Sequence, residues 1–228
     1  MSRRVYVGWD SREDIAYQVC KQSLLRYADN VEVIPLKLPE LRAEGLVTRA
    51  SDPKASTEFT FTRFLVPHLN DYKGWALFVD CDFLFTQDVN KLFDQADDKY
   101  AVMVAKHDYA VKDGDVKMDG KVQYAYPRKN WSSAMLFNCG HVKNADLYPE
   151  FANRQEMSYL HRFSWLNDDE IGEFSHEWNW LVGHYHEPQD GKPKAIHYTT
   201  GGPWFTNYSD VEYADLWNAE AKSYYKSW

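Results

Sequence analysis

Trp75-Ala76-Leu77-Phe78-Val79-Asp80-Cys81-Asp82 is the stretch on which the fold of this chain turns. Its first five residues form an unbroken apolar run, the pattern of a strand buried on both faces in the middle of a helix-flanked sheet. Upstream, Arg4-Val5-Tyr6-Val7-Gly8-Trp9 reads as a buried strand, and Asp10-Ser11-Arg12-Glu13-Asp14 as the acid-rich entry to a helix over 15–27. Ile15, Ala16, Val19 and Leu24 give that helix one packed face. Val31-Glu32-Val33-Ile34 follows as a strand, so the chain opens β-α-β, which favours parallel pairing through a right-handed crossover. Downstream, Ala101-Val102-Met103-Val104-Ala105, Ala134-Met135-Leu136-Phe137-Asn138 and Ala195-Ile196-His197-Tyr198 read as strands. Helices are expected over 59–69, 89–93, 144–153, 155–160 and 213–225, with a loop carrying a short helical piece over 36–56. A polar, hairpin-like excursion is expected over 108–128. The predicted architecture is α/β, a mostly parallel central sheet sandwiched by helices.

Composition narrows the function classes. The 228 residues fit one domain, and at 44% hydrophobic they hold enough apolar material for a core, which excludes a wholly disordered chain. Acidic residues outnumber basic ones 34 to 26 and no Lys/Arg run offers a basic face, so no nucleic-acid partner is expected. No transmembrane segment is expected, because no apolar run reaches about 18 residues. The N-terminus lacks the apolar stretch and cleavage site of a secretory signal, which predicts a cytoplasmic protein. Cys20, Cys81 and Cys139 are scattered and form no CxxC pair, which predicts no disulfide framework.

The chemistry concentrates where the apolar run ends. In open α/β sheets ligands sit beyond the carboxyl ends of strands. Two acids beside a hydrophobic strand, Asp80 and Asp82, repel each other and lose solvation, a cost that a hard divalent cation offsets. The plainer reading is a strand ending in a solvated acidic turn. His197 closes a later predicted strand and precedes Tyr198-Thr199-Thr200-Gly201-Gly202-Pro203-Trp204, whose glycines permit close backbone approach to a phosphate. Its plainer reading is a structural hydrogen-bonder. Two Asp and one His together suit Mn²⁺ better than Ca²⁺.

Five blocks occur in order: Thr62-Arg63-Phe64-Leu65-Val66-Pro67-His68-Leu69; Leu77-Phe78-Val79-Asp80-Cys81-Asp82-Phe83-Leu84; Ser132-Ser133-Ala134-Met135-Leu136-Phe137-Asn138; Asn167-Asp168-Asp169-Glu170-Ile171 with Trp178-Asn179-Trp180; and His197-Tyr198-Thr199-Thr200-Gly201-Gly202-Pro203-Trp204. Together they resemble the GT-A glycosyltransferases of glycosyltransferase family 8, the glycogenin-like family that includes bacterial lipopolysaccharide galactosyltransferases. The resemblance runs from Val5 to about Phe205. It implies a single GT-A-like domain with a Rossmann-like nucleotide-binding part at about 1–106 and a donor and acceptor part at about 107–228. It implies metal-dependent transfer of a sugar, with retention, from a nucleotide-sugar, most often a UDP-sugar. A glycan, a lipid-linked saccharide or a small molecule would accept it.

Matched residue by residue, the resemblance makes Asp80, Asp82 and His197 ligands of Mn²⁺ (or Mg²⁺). Gly8, Asp10, Arg12, Cys81, Gly201 and Gly202 become nucleotide-binding, and Asn130, Ser132 and Ser133 face the donor sugar. Asp168, Asp169 and Arg63 form the catalytic set. Two positions depart from the family pattern. Asp169 stands where an amide is frequent, and Gly202 precedes Pro203 where a lysine aimed at the diphosphate is common. Lys192, Lys194 and Arg12 are the alternatives for that contact.

Elementary chemistry fits these roles. A nucleoside diphosphate leaves readily only when its developing charge is neutralised, by a Lewis-acidic cation and by Arg63 and the Gly201-Gly202 amides. Asp168 or Asp169 would stabilise an oxocarbenium-like centre or trap it covalently. Read without the resemblance, Asp168-Asp169-Glu170 is an exposed helix N-terminus, where the macrodipole favours acids. Two other classes stay open: a non-catalytic nucleotide- or sugar-binding module on the same fold, and a metal-dependent phosphoesterase, which needs a larger ligand cluster.

Overall fold

The computed structural model describes residues 3–52, 55–108, 127–186, 188 and 191–226. Most of the excursion expected over 108–128 lies outside the described residues. The chain opens with β1 (Arg3–Gly8), α1 (Asp14–Tyr27) and β2 (Val31–Leu36), the expected β-α-β, followed by α2 (Leu38–Ala43). The helix expected over 59–69 splits into a 3-10 turn, Thr62–Leu65, and α3 (Val66–Leu69). Pro67 is the cause: it has no N–H to bond back to Arg63, yet it fits the first turn of a new helix. Pro149 divides the segment over 144–153 in the same way. Then come β3 (Trp75–Val79), β4 (Phe83–Phe85), α4 (Asn90–Phe93), β5 (Val102–Val104), β6 (Ala134–Asn138), α5 (Pro149–Arg154), α6 (Met157–His161), β7 (Ile171–Glu173), β8 (Trp180–Leu181), β9 (Ala195–His197) and α7 (Ala214–Lys226).

Among the described residues six strands make the main sheet, in the order β2-β1-β3-β6-β5-β7. β1 runs parallel to β2 and β3, with Val5 opposite both Val33 and Leu77. β6 is the reversed strand, antiparallel to β3 and to β5, and β7 is again parallel beside β5. The sheet is therefore mostly parallel. Val5, Val7, Leu77, Phe78, Met135 and Leu136 are fully buried, each contributing roughly 1.5–3 kcal/mol of burial. α1 packs against β4 and α7, while α3 packs under β3 and β6. Cys20, Cys81 and Cys139 are free and buried. Among the described residues no helix is long and apolar enough to cross a membrane.

A second sheet of three strands, β4-β9-β8, positions the chemistry. β4 begins one residue after Asp82 and pairs antiparallel with β9, setting Phe83 opposite His197. β8 lies parallel on the other side of β9, with Leu181 opposite His197. A residue from late in the chain is thereby delivered to the end of β3.

Candidate functional site

Asp80, Asp82 and His197 offer one ligand atom each, and those atoms lie within 4.8 Å of one another. The backbone fixes all three. Asp80 donates its N–H to the Ser133 carbonyl at 3.0 Å, and the Asp82 carbonyl accepts from the Tyr198 N–H at 3.0 Å. The His197 ring stacks on Phe83 with centroids 4.5 Å apart and planes at 19°.

A chain of hydrogen bonds sets the His197 tautomer. The Asn130 carbonyl can only accept, so the Ser133 hydroxyl donates to it at 2.6 Å. Ser133 Oγ then accepts from Asn179 Nδ2 at 2.9 Å. This leaves Asn179 Oδ1 to accept from His197 Nδ1 at 2.8 Å. The proton is on Nδ1, and the Nε2 lone pair faces Asp82 Oδ2 at 3.4 Å. Either a proton or a cation between these two atoms satisfies both. The donor set and its geometry therefore fit a divalent ion with one imidazole and two carboxylate ligands.

Arg63 lies behind this cluster. It is 5% exposed. Its Nη1 is 2.8 Å from Asp80 Oδ1 and donates to the Ser132 carbonyl at 2.8 Å. Its guanidinium packs over the rings of Phe59 and Phe78. Arg63 thus anchors Asp80 within the protein.

The other predicted nucleotide-site residues gather at the same edge but are engaged internally. Asp10 is fully buried and accepts from Arg12 Nε at 2.9 Å, Arg12 Nη2 at 2.8 Å and the Glu58 N–H at 3.1 Å. Burial opposes its ionisation, but these donors outweigh it and hold the carboxyl below the usual carboxylate range. A cavity of about 250 Å³ adjoins this turn, lined by Arg12, Arg42, Arg49, Glu58 and Phe61 among others. A Cβ on Gly8 would stand 2.4 Å from the Phe59 ring, and one on Gly202 would stand 1.9 Å from the Trp204 ring. Both glycines make room for aromatic side chains of the protein itself. Gly201 spends its N–H on the Tyr198 carbonyl. The Cys81 thiol is buried, and burial, followed by the charges of Glu13, Asp82 and Asp80, pushes its pKa well up. Ser132 Oγ lies 2.7 Å from His161 Nδ1, so both predicted sugar-facing serines hold internal bonds. Of the three alternatives for the phosphate contact, Lys194 pairs with buried Glu177 at 2.9 Å, Arg12 is committed to Asp10, and Lys192 is exposed.

Asp168 and Asp169 are not brought to the cluster. They lie in a 3-10 turn, Asp168–Glu170, closed by a capping box between Asn167 and Glu170. That turn precedes β7, and β7 runs in the same direction as β3, so it sits at the opposite end of the sheet from Asp80. Ile171 is level with Val102, Phe137 and Ala76. The turn is therefore set back from Asp80 by roughly 13 Å along the strands and roughly 14 Å across them. Asp168 is exposed and paired with Arg128. The reading as an acid-rich helical N-terminus describes this segment.

Three functional candidates escaped the motif reading. Asn179, fully buried, orients His197; only its place in Trp178-Asn179-Trp180 hinted at it. Glu13 is 1% exposed and accepts from Trp204 Nε1 at 3.2 Å. Burial first, then the charges of Asp82 and Asp10, push its carboxyl up to about 8. His107 is 6% exposed, with Nδ1 2.6 Å from the Tyr185 hydroxyl. Burial, helped by nearby His197, His176 and His184, pushes its imidazole down to about 3 and keeps it neutral. An acid among acids and a lone His carry no local signal of either environment.

No family model matches the chain. It is 52% identical over 227 residues to Protein CDI of Arabidopsis thaliana, across 98% of this chain and 87% of that protein. Among solved structures it resembles the glycosyltransferase GlyE of Streptococcus pneumoniae TIGR4, with a TM-score of 0.65 and 14% identity over 97% of this chain and 60% of GlyE. It also resembles the bifunctional glycosyltransferase WbbM, with a TM-score of 0.68 and 16% identity over 99% of this chain and 51% of WbbM. The galactosyltransferase LgtC, solved with donor and acceptor sugar analogues, gives a TM-score of 0.54 and 10% identity over 96% of this chain and 95% of LgtC. The chain thus spans little more than half of GlyE or WbbM. These likenesses show the fold: a GT-A arrangement with a mostly parallel central sheet.

Proposed function

This chain belongs to the family of Arabidopsis thaliana Protein CDI, and from its GT-A fold and its acidic cluster we propose that it is a metal-dependent glycosyltransferase of the family 8 type. In this proposal it moves a sugar, with retention, from a UDP-sugar to a glycan, lipid-linked saccharide or small-molecule acceptor, and works in the cytoplasm. The observation that supports this most is the convergence of Asp80, Asp82 and His197 within 4.8 Å at the carboxyl end of β3. Mn²⁺ or Mg²⁺ held there would neutralise a diphosphate leaving group as a Lewis acid. The protein's own part is positioning. Arg63 holds Asp80 from behind, Asn179 presents the His197 Nε2 lone pair, and the Asp10–Arg12 turn borders the cavity at the nucleotide end.

A second reading, a nucleotide- or sugar-binding module without turnover, is favoured by one observation: the Asp168–Asp169 pair lies at the far end of the sheet from the cation ligands. Incubating the protein with Mn²⁺ and a panel of nucleotide-sugars separates the two. Slow release of nucleoside diphosphate and free sugar supports the transferase. Binding with no release on any acceptor supports the module, and no cation-dependent nucleotide binding refutes both.

A further inference from the structure

The carboxyl edge of the main sheet holds more polar chemistry than a cation and a nucleotide use. His107 Nε2 and Asn130 Nδ2 are buried there with no hydrogen-bond partner among the described residues. Native folds leave few such atoms unpaired, since each costs roughly 1–3 kcal/mol. The two belong to one neighbourhood, because Trp131, next to Asn130, donates its Nε1 to the His107 carbonyl at 3.1 Å. Asn130 is also held at a φ of 64°, in the left-handed region that asparagine adopts more readily than most residues. Beside them stands an aromatic wall. Tyr185 stacks on exposed His176 with centroids 4.6 Å apart at 28°, leans on Trp180 at 5.0 Å, and bonds to His107 through its hydroxyl.

Sheet order says which part of a bound donor–acceptor pair this wall would meet. The Asp10–Arg12 turn follows β1, the cation ligands follow β3, Asn130 precedes β6, and His107 and His176 follow β5 and β7. In the order β1-β3-β6-β5-β7 these stations form a line across one edge. β5 and β7 stand two and three strands from β3, roughly 10–14 Å at the usual strand spacing. A nucleoside over β1 and a diphosphate over β3 leave the donor sugar near β6 and the second substrate over β5 and β7.

We propose that His107, His176 and Tyr185 form the acceptor subsite, with buried Trp180 backing Tyr185, and that it takes a saccharide. The apolar face of a sugar ring lies against the aromatic wall, and its hydroxyls satisfy His107 Nε2 and Asn130 Nδ2. The assignment rests on the glycosyltransferase reading above.

The test uses the intact protein. Calorimetry first measures UDP with Mn²⁺. Saturation-transfer NMR of that complex then screens methyl glucoside, methyl galactoside, methyl xyloside, lactose and maltose. At least one of these saccharides gains saturation, and Tyr185→Ala weakens it about tenfold or more, the size of one aromatic contact plus one hydrogen bond. Tyr185→Phe, which keeps the stack and removes the bond to His107, falls between the two. The affinity for UDP–Mn²⁺ changes less than about twofold in both variants. Wild-type protein that binds UDP–Mn²⁺ but none of the saccharides overturns the subsite. So does a Tyr185→Phe protein that loses UDP–Mn²⁺ affinity in proportion, since the wall would then serve only to support His197. Wild-type protein that binds no UDP–Mn²⁺ overturns the transferase reading and the subsite with it, a failure distinct from the other two.

Discussion

Replacing Asn179 with Leu tests the tautomer argument directly. The two side chains share the same branched heavy-atom outline, so the site stays filled, but the acceptor for His197 Nδ1–H at 2.8 Å and the donor to Ser133 Oγ at 2.9 Å are both lost. The imidazole then has an alternative: it moves its proton to Nε2 and donates to Asp82 Oδ2, already 3.4 Å away. That escape limits the loss of stability to about 1 kcal/mol, the net value of one hydrogen bond. It removes the lone pair a cation needs. Loss of such an orienting partner typically lowers metal affinity about 10–100-fold. Calorimetric titration with Mn²⁺ reads the affinity, urea unfolding reads the stability, and long-range ¹H–¹⁵N spectra of the imidazole report the tautomer. Mn²⁺ affinity within about twofold of wild type, in a folded Asn179→Leu protein, would refute the reasoning. So would a wild-type His197 found protonated on Nε2 rather than Nδ1.

Asp82→Ala is expected to abolish Mn²⁺-dependent UDP binding by calorimetry, and unchanged affinity would remove Asp82 from the ligand set. Arg63→Met leaves Asp80 without its buried partner and is expected to cost about 3–5 kcal/mol in urea unfolding; a loss below 1 kcal/mol would mean that the pair does not anchor Asp80. Glu13, whose carboxyl is raised from 4.5 to about 8, keeps its proton in the folded chain where the unfolded chain has released it. Its contribution to stability is complete below about pH 4.5 and lost as pH rises through 8, a change of at most about 5 kcal/mol. Glu13→Gln should flatten that slope, and urea midpoints at pH 5.5 and 8.5 that fall equally in variant and wild type would contradict it.

What could be read from residues alone follows the range of the signal. The 75–79 run predicts β3 residue for residue, because burial on both faces writes itself into consecutive positions. The helix over 15–27 is nearly as clear, since one packed face repeats over several turns. β7 and β8 leave no such trace. They are three and two residues long, and Gly172, lodged against Tyr100 and Met103, interrupts the first. The candidate cation cluster was legible because Asp80 follows one recognisable strand, Asp82 shares its turn, and His197 closes another. Asn179 was not, because its task depends on the pairing of β8 with β9, which nothing local announces. Asp168 and Asp169 illustrate the converse: an acidic pair can be seen in the sequence, but only the direction of β7 shows which end of the sheet it occupies.

The pairing of β4 with β9 also governs when the chain becomes competent. During synthesis the two aspartates emerge long before the imidazole, and contacts so distant in sequence form late. Under the proposed function, ion capture would then act as a reporter of completed assembly. Because a bound ion stabilises only the finished state, an ion held there would secure β9, the last of the described strands in the chain.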